Sequence, residues 1–149
     1  MTSLRSWIRR RPRTTSALAF GTVTLVVTHY AWVAGARMNG LVLTIAVGVA
    51  HAMAGAITGQ NLVVGIHPRT PLRAGLLGAA TSVLALFFFS PAYAVFIIEK
   101  DVGHESVFSH LILTILIGVF SFLAVWWAFV VVSTCVGWCL YWASKGPDP

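Results

Sequence analysis

A chain of 149 residues that is 58% hydrophobic and 9% charged, with mean hydropathy +0.85, has far fewer charges than the roughly one quarter usual for a water-soluble domain. Those figures exclude an ordinary soluble fold and identify the bilayer as the solvent. The formal net charge of +6 is read as an orientation signal with some attraction to anionic lipid, and nothing calls for nucleic acid.

Four apolar blocks, residues 17–36, 41–65, 74–98 and 107–142, each reach the roughly 20 residues a spanning helix needs. Unpaired peptide groups in lipid cost several kcal/mol each, so only helices or closed barrels cross it. The blocks lack the period-two alternation of barrel strands, which selects helices. The expectation is an all-α integral membrane protein, a single domain over residues 1–149, with four transmembrane helices in an antiparallel bundle.

Orientation follows from the ten basic residues. Arg5, Arg9, Arg10, Arg11, Arg13, Arg69, Arg73 and Lys145 flank one side of these spans, against only Arg37 and Lys100 on the other. By the positive-inside rule both termini are cytoplasmic, most simply at a bacterial inner (plasma) membrane. Glu99, Asp101 and Glu105 then sit together in the outward third loop.

Residues 1–16, rich in Arg, Ser and Thr and free of acids, form a basic flank to a signal-anchor helix. A cleavable signal ending at Ala34-Gly35-Ala36 and an organellar presequence are competing readings of the same composition. Leu4, Trp7 and Ile8 are placed to rest among headgroups.

The first span carries His29. The very short connection at 37–40 makes the first and second spans neighbours. In the second, Thr44, Gly48, His51 or Ala52, Gly55 and Gly59 recur at helical spacings of three and four, and Gly55 with Gly59 makes a G-x-x-x-G. Such a face lets a neighbouring backbone approach closely, either within the bundle or at an oligomer interface. In the second loop, Thr70 is placed to cap the next helix, with Pro71 at its first position.

The third span repeats the theme with Gly75, Gly78 or Ala79, Ser82 and Ala85, and the simplest assembly packs this face on that of the second span. Ser90-Pro91 should kink or end the helix. The fourth block, at about 50 Å if one straight helix, must tilt, break near Gly137 or protrude. Trp138, Tyr141 and Trp142 form its interfacial belt, Trp126 and Trp127 face helices or lipid, and Cys135 and Cys139 read as small core residues.

No Asp, Glu, Lys or Arg falls well inside a span, although ion-coupled carriers and proton relays rely on such groups. The polar candidates are His29, His51, Gln60 and Asn61. His29 and His51 fall at similar depths if the two spans are counted from their outer ends, so they invite three readings: axial ligands of haem b, a hydrogen-bonded structural pair, or a polar lining for a solute path. In the third loop Asp101, His104 and His110 are the weak metal candidates, beside the bland reading of a solvated loop. Phe108 stands where an H-E-x-x-H motif would need its second histidine. No catalytic motif is present.

The leading expectation is a non-enzymatic membrane protein acting by helix association, as accessory subunit, assembly factor or homo-oligomer. Its packing faces would carry Gly48, Gly55, Gly59, Gly75, Gly78 and Ser82. Its partners would be the lipid bilayer, other membrane chains or copies of itself. The alternatives are a haem b-binding redox subunit and a channel or facilitator for a small solute.

Overall fold

The computed structural model describes residues 2–33, 40–64, 70–101, 107–121, 124 and 126–145. Every element among them is helical: α1 (Thr2–Arg10), α2 (Pro12–Val33), α3 (Gly40–Val63), α4 (Pro71–Asp101), α5 (Val107–Ser121) and α6 (Trp127–Ser144). Three of these helices are long and apolar enough to cross a membrane, over Leu43–Val63, Pro71–Pro91 and Trp127–Ser144. Large apolar side chains such as Leu41, Ile45, Val49, Met53 and Ile57 on α3, or Leu72, Leu76 and Phe87 on α4, are exposed. That outward-facing apolar surface suits lipid.

Local chemistry explains the helix ends. Pro12 and Pro71 open α2 and α4, where a missing N–H costs nothing. The Thr70 hydroxyl accepts from the Arg73 N–H at 3.3 Å, the cap expected from the sequence. Bonds from Arg11 N–H to Trp7 O and from Thr15 N–H to Arg11 O carry the helical turn from α1 into α2. Pro91 lies inside α4 and does not end it, and the Ser90 hydroxyl donates to Leu86 O at 2.9 Å. Gly137 lies within α6, so the fourth block does not break there, and Ala124 and Trp126 have the wide backbone of a π-turn.

The small-residue faces pair differently from the sequence expectation. The face of α3 lies against α2: a Cβ on Gly55 or Gly59 would meet the backbone oxygens of Ser16 and Pro12 at 2.8 and 2.7 Å, and one on Gly21 would meet Ala52 Cβ at 2.9 Å. The face of α4 lies against α6. There a Cβ on Gly78 would collide with the Ser133 carbonyl, one on Gly75 would lie 2.5 Å from the Trp138 ring nitrogen, and one on Gly137 would lie 2.5 Å from Ala74 O. The expected packing of the α3 face on the α4 face is therefore corrected. Each glycine stripe is matched by a small residue on its actual partner, Gly21 on α2 and Gly137 on α6, so two backbone-to-backbone seams form in place of one.

With the glycines turned away, α3 and α4 meet through polar and medium-sized side chains. Thr58 and Thr81 hydroxyls lie 2.8 Å apart across this contact. The two seams and this third contact enclose two apolar cores. One holds Val47, Ala50, Ala54, Ala85, Phe89, Trp126 and Phe129. The other, at the arginine-rich end, holds Phe20, Leu62, Val63, Val136, Leu140 and Ile8, which points into protein and not into headgroups. Cys135 and Cys139 are exposed, so their reading as core residues is corrected: Gly137, midway between them, takes the seam and turns both thiols outward.

Candidate functional site

The densest polar arrangement is centred on His51, at the middle of α3. Its side chain is fully buried, as is that of Ser82 on α4. Nδ1 of His51 lies 3.0 Å from Val47 O, one turn back, and a carbonyl can only accept. Nδ1 therefore carries a hydrogen, and in the neutral ring Nε2 is left to accept from the Ser82 hydroxyl at 3.3 Å. The carbonyl of Ser82 in turn accepts from the Trp126 indole N–H at 2.8 Å. One serine thus ties α3, through its side chain, to the start of α6, through its backbone.

Aromatic rings close this node. The Trp126 ring stacks on His51 at 5.4 Å between centroids and 23° between planes, Phe129 packs on His51 at 5.3 Å, and Phe89 packs on Trp126 at 5.2 Å. Trp126 points inward, while Trp127, the next residue along the helix, faces out. Of the two destinations that the sequence allows for this tryptophan pair, each residue takes one.

A serine hydroxyl facing an imidazole nitrogen is also the pairing used by nucleophilic hydrolases. Here both side chains have no exposed surface and are wrapped in rings, so no substrate reaches them. The arrangement acts as a latch. Interhelical hydrogen bonds in lipid average about 0.6 kcal/mol, and stacked rings add about 0.5–1.5 kcal/mol.

His29 is not brought to His51. It is exposed, with its ring edge-on to Tyr30 at 6.1 Å. The similar depth expected for the two histidines is corrected by the α2–α3 register. Pro12 meets Gly59, Ser16 meets Gly55 and Gly21 meets Ala52, so His51 stands near Phe20 and His29 lies about nine residues, ~13 Å, further along. The seam between them is closed by backbone contact, and both ring nitrogens of His51 are already engaged. The geometry gives the two imidazoles no shared slot for a haem.

Gln60 and Asn61 are exposed near the end of α3, about ten residues or ~15 Å from His51. Gln60 accepts from the Arg13 guanidinium at 3.0 Å, and Asn61 lines a cleft of about 170 Å³ with Thr70, Arg73 and Tyr141. The sequence candidates for a path therefore fall into two separate places. Of the metal candidates, His104 and the side chains of Asp101 and His110 lie outside the described residues. Among the described residues no His, Cys, Asp and Glu cluster is arranged for a metal.

Two features were missed by the sequence reading. Trp126 as keystone had no distinguishing signal, because Trp127 beside it is chemically identical. The seam partners Gly21 and Gly137 did have one: Ala17-x-x-x-Gly21 and Ser133-x-x-x-Gly137 are small-xxx-small pairs. Compared with family models, with curated proteins and with solved structures, the chain matches none.

Proposed function

We propose that this is an integral membrane protein of four antiparallel spans that works by association with other membrane chains or with copies of itself, without chemistry of its own. The spans are α2, α3, α4, and α5 with α6 together. Both termini lie on the cytoplasmic side, in keeping with the eight basic residues there, and a bacterial inner membrane is the simplest setting.

The observation that carries the reading is what the bundle uses and what it leaves. Its glycine faces are spent on internal seams, and the His51, Ser82, Thr58 and Thr81 groups are spent on internal bonds. On α5, by contrast, Phe108, Leu111, Ile112, Ile115, Leu116, Val119 and Phe120 are all exposed, and their spacing spreads them over about half the helix surface. A helix held from one side offers its other side to lipid or to a partner helix. Association through that face replaces the glycine faces as the means of action.

The test is the mass of the full chain released from its own membrane in polymer nanodiscs without detergent. A species heavier than the 16.1 kDa chain plus lipid, as a multiple of itself or with a defined second chain, is expected. A uniform monomer would contradict the proposal.

A further inference from the structure

Two residues fasten α1 to the bundle, and three of its neighbouring cations are left unused. Ile8 is buried in the core at the arginine-rich end, and Arg9 donates through Nε and Nη2 to the Ser144 carbonyl. The bonds from Arg11 N–H to Trp7 O and from Thr15 N–H to Arg11 O carry the turn across Pro12, so α1 is a docked extension of α2 and not a loose arm. Arg13 is engaged by Gln60. Arg5, Arg10 and Arg11, by contrast, are exposed and make no hydrogen bond or ion pair among the described residues.

The placement of these three decides what they can meet. A Cβ on Gly59 would touch Pro12 O, so Arg10 and Arg11 stand level with Gln60 and Asn61 at the polar end of α3. Arg5 lies six residues before Arg11, ~9 Å further along the helix. At about 100° per residue, Arg5 and Arg11 fall roughly 60° to either side of Ile8, and Arg10 falls almost opposite it. Exposed Trp7 sits between Arg10 and Arg11, the place of an interfacial indole. The three guanidinium groups therefore fan out on separate sides of α1. A nucleic-acid duplex or an acidic protein approaches from one side and reaches one or two of them, whereas headgroups standing around the helix reach all three.

Charge agrees with this geometry. Of the chain's four acids, Glu99, Asp101 and Glu105 fall at the far end of α4 or just beyond it, and Asp148 alone belongs to the C-terminal end of the sequence. One carboxylate offsets one arginine at most, which leaves a surplus of at least two. We infer that α1 is a headgroup-contacting helix that gathers anionic phospholipids around this end of the bundle, Arg5, Arg10 and Arg11 each meeting the phosphate of a different lipid. The inference rests on the membrane reading above, which puts this end at headgroup level. Orienting the chain needs only the sum of charges on a flank; a docked α1 with three unpaired guanidinium groups also selects the lipids beside it. A basic residue near the surface favours anionic over neutral lipid by about fivefold.

The test measures lipid enrichment beside α1 in the full chain, with Cys135 and Cys139 replaced by alanine and a donor dye on Thr14→Cys, an exposed position in the first turn of α2. The chain is reconstituted in phosphatidylcholine vesicles holding a minor fraction of phosphatidylglycerol, and energy transfer is read to a trace of either lipid labelled on its acyl chain. Transfer to phosphatidylglycerol should exceed that to phosphatidylcholine, with a local enrichment of at least about fivefold. The preference should fall in each of Arg5→Gln, Arg10→Gln and Arg11→Gln, vanish in the triple variant, and vanish for the parent in about 1 M salt, where the Debye length is about 3 Å. Lys100→Gln, which removes one charge at the far end of α4, should leave it unchanged. Equal transfer to the two lipids, a parent-like preference in the triple variant, or equal losses in Arg10→Gln and Lys100→Gln would overturn the inference. Retardation of a short RNA duplex by the chain in phosphatidylcholine nanodiscs, lost in the triple variant and without phosphatidylglycerol enrichment, would put nucleic acid in the place of lipid. Carbonate-resistant sedimentation with the vesicles tests the membrane reading by itself. Failure to sediment removes both claims, whereas sedimentation without enrichment removes only the role of α1.

Discussion

The seam between α4 and α6 makes a sharp demand at Gly78. A methyl group there would collide with the carbonyl of Ser133 and stand 3.1 Å from Thr134 Cα, both backbone of α6, so relief requires the helices to move apart. Overpacking of this kind costs about 2–3 kcal/mol, and replacing a helical glycine by alanine returns about 1 kcal/mol. The net expectation for Gly78→Ala is a loss of about 1–2 kcal/mol. At Gly48 the same methyl would stand 3.1 Å from Leu25 Cβ and 3.3 Å from Cδ1; Cδ1 gives way by rotation, and the Cβ contact asks the two helices for only a few tenths of an ångström. There the packing cost and the helix gain nearly cancel, and Gly48→Ala should be close to neutral. The measurement is reversible unfolding in mixed micelles of rising dodecyl sulfate content, followed by circular dichroism and tryptophan fluorescence. The two variants should differ about tenfold in folded-to-unfolded ratio. Equal midpoints, or a Gly78→Ala variant as stable as the parent, would refute the seam geometry.

Further outcomes follow from the same contacts. His51→Ala removes a fully buried ring with its stacking partners and should cost about 2–4 kcal/mol, with loss of the near-ultraviolet signal of Trp126, whereas Ser82→Ala should cost under about 1 kcal/mol. A double-mutant cycle of Thr58→Val and Thr81→Val should return a coupling of about 0.6 kcal/mol in the micelle assay, and no coupling would place the hydroxyls apart. Arg9 donates through Nε and Nη2 to Ser144 O at 3.0 and 2.8 Å, at the negative end of the α6 dipole. Arg9→Gln should therefore speed hydrogen exchange in α1 while the bundle midpoint shifts by less than about 1.5 kcal/mol. Cys135 and Cys139 should react with a lipid-soluble thiol reagent in the folded state, and protection until denaturation would put them back in the core.

Helical class and the apolar blocks were legible because they depend on composition and on run length, which lipid enforces strictly. The Thr70 cap and Pro71 start were legible because both are set within four residues. Pairing was not. The stripe Gly48, Gly55, Gly59 shows that something approaches closely, but the stripe itself carries no record of which helix: it meets Pro12, Ser16 and Gly21 on α2, while the α4 stripe meets Ser133, Gly137 and Trp138 on α6. The depth of His29 relative to His51 failed for a related reason. Counting residues from helix ends assumes level ends, while the register is set by where Gly21, Ser16 and Pro12 meet α3. His51 was legible as a polar residue on the small face, yet its partner Ser82 was assigned only to packing, since nothing in one sequence says that two residues thirty-one positions apart share a hydrogen bond.

The claim at the centre of this account is that the bundle closes on itself through its glycine faces and meets partners through the outer face of α5. Cysteine scanning in the native membrane addresses both halves at once, in a background with Cys135 and Cys139 replaced by alanine. Single cysteines at Ile112, Ile115 and Val119 should form cross-linked species with a helical period, while cysteines at Ala52 and Ala79, on the glycine-rich faces of α3 and α4, should give none. Cross-links from Ala52 or Ala79 to another chain, with α5 silent, would contradict the account.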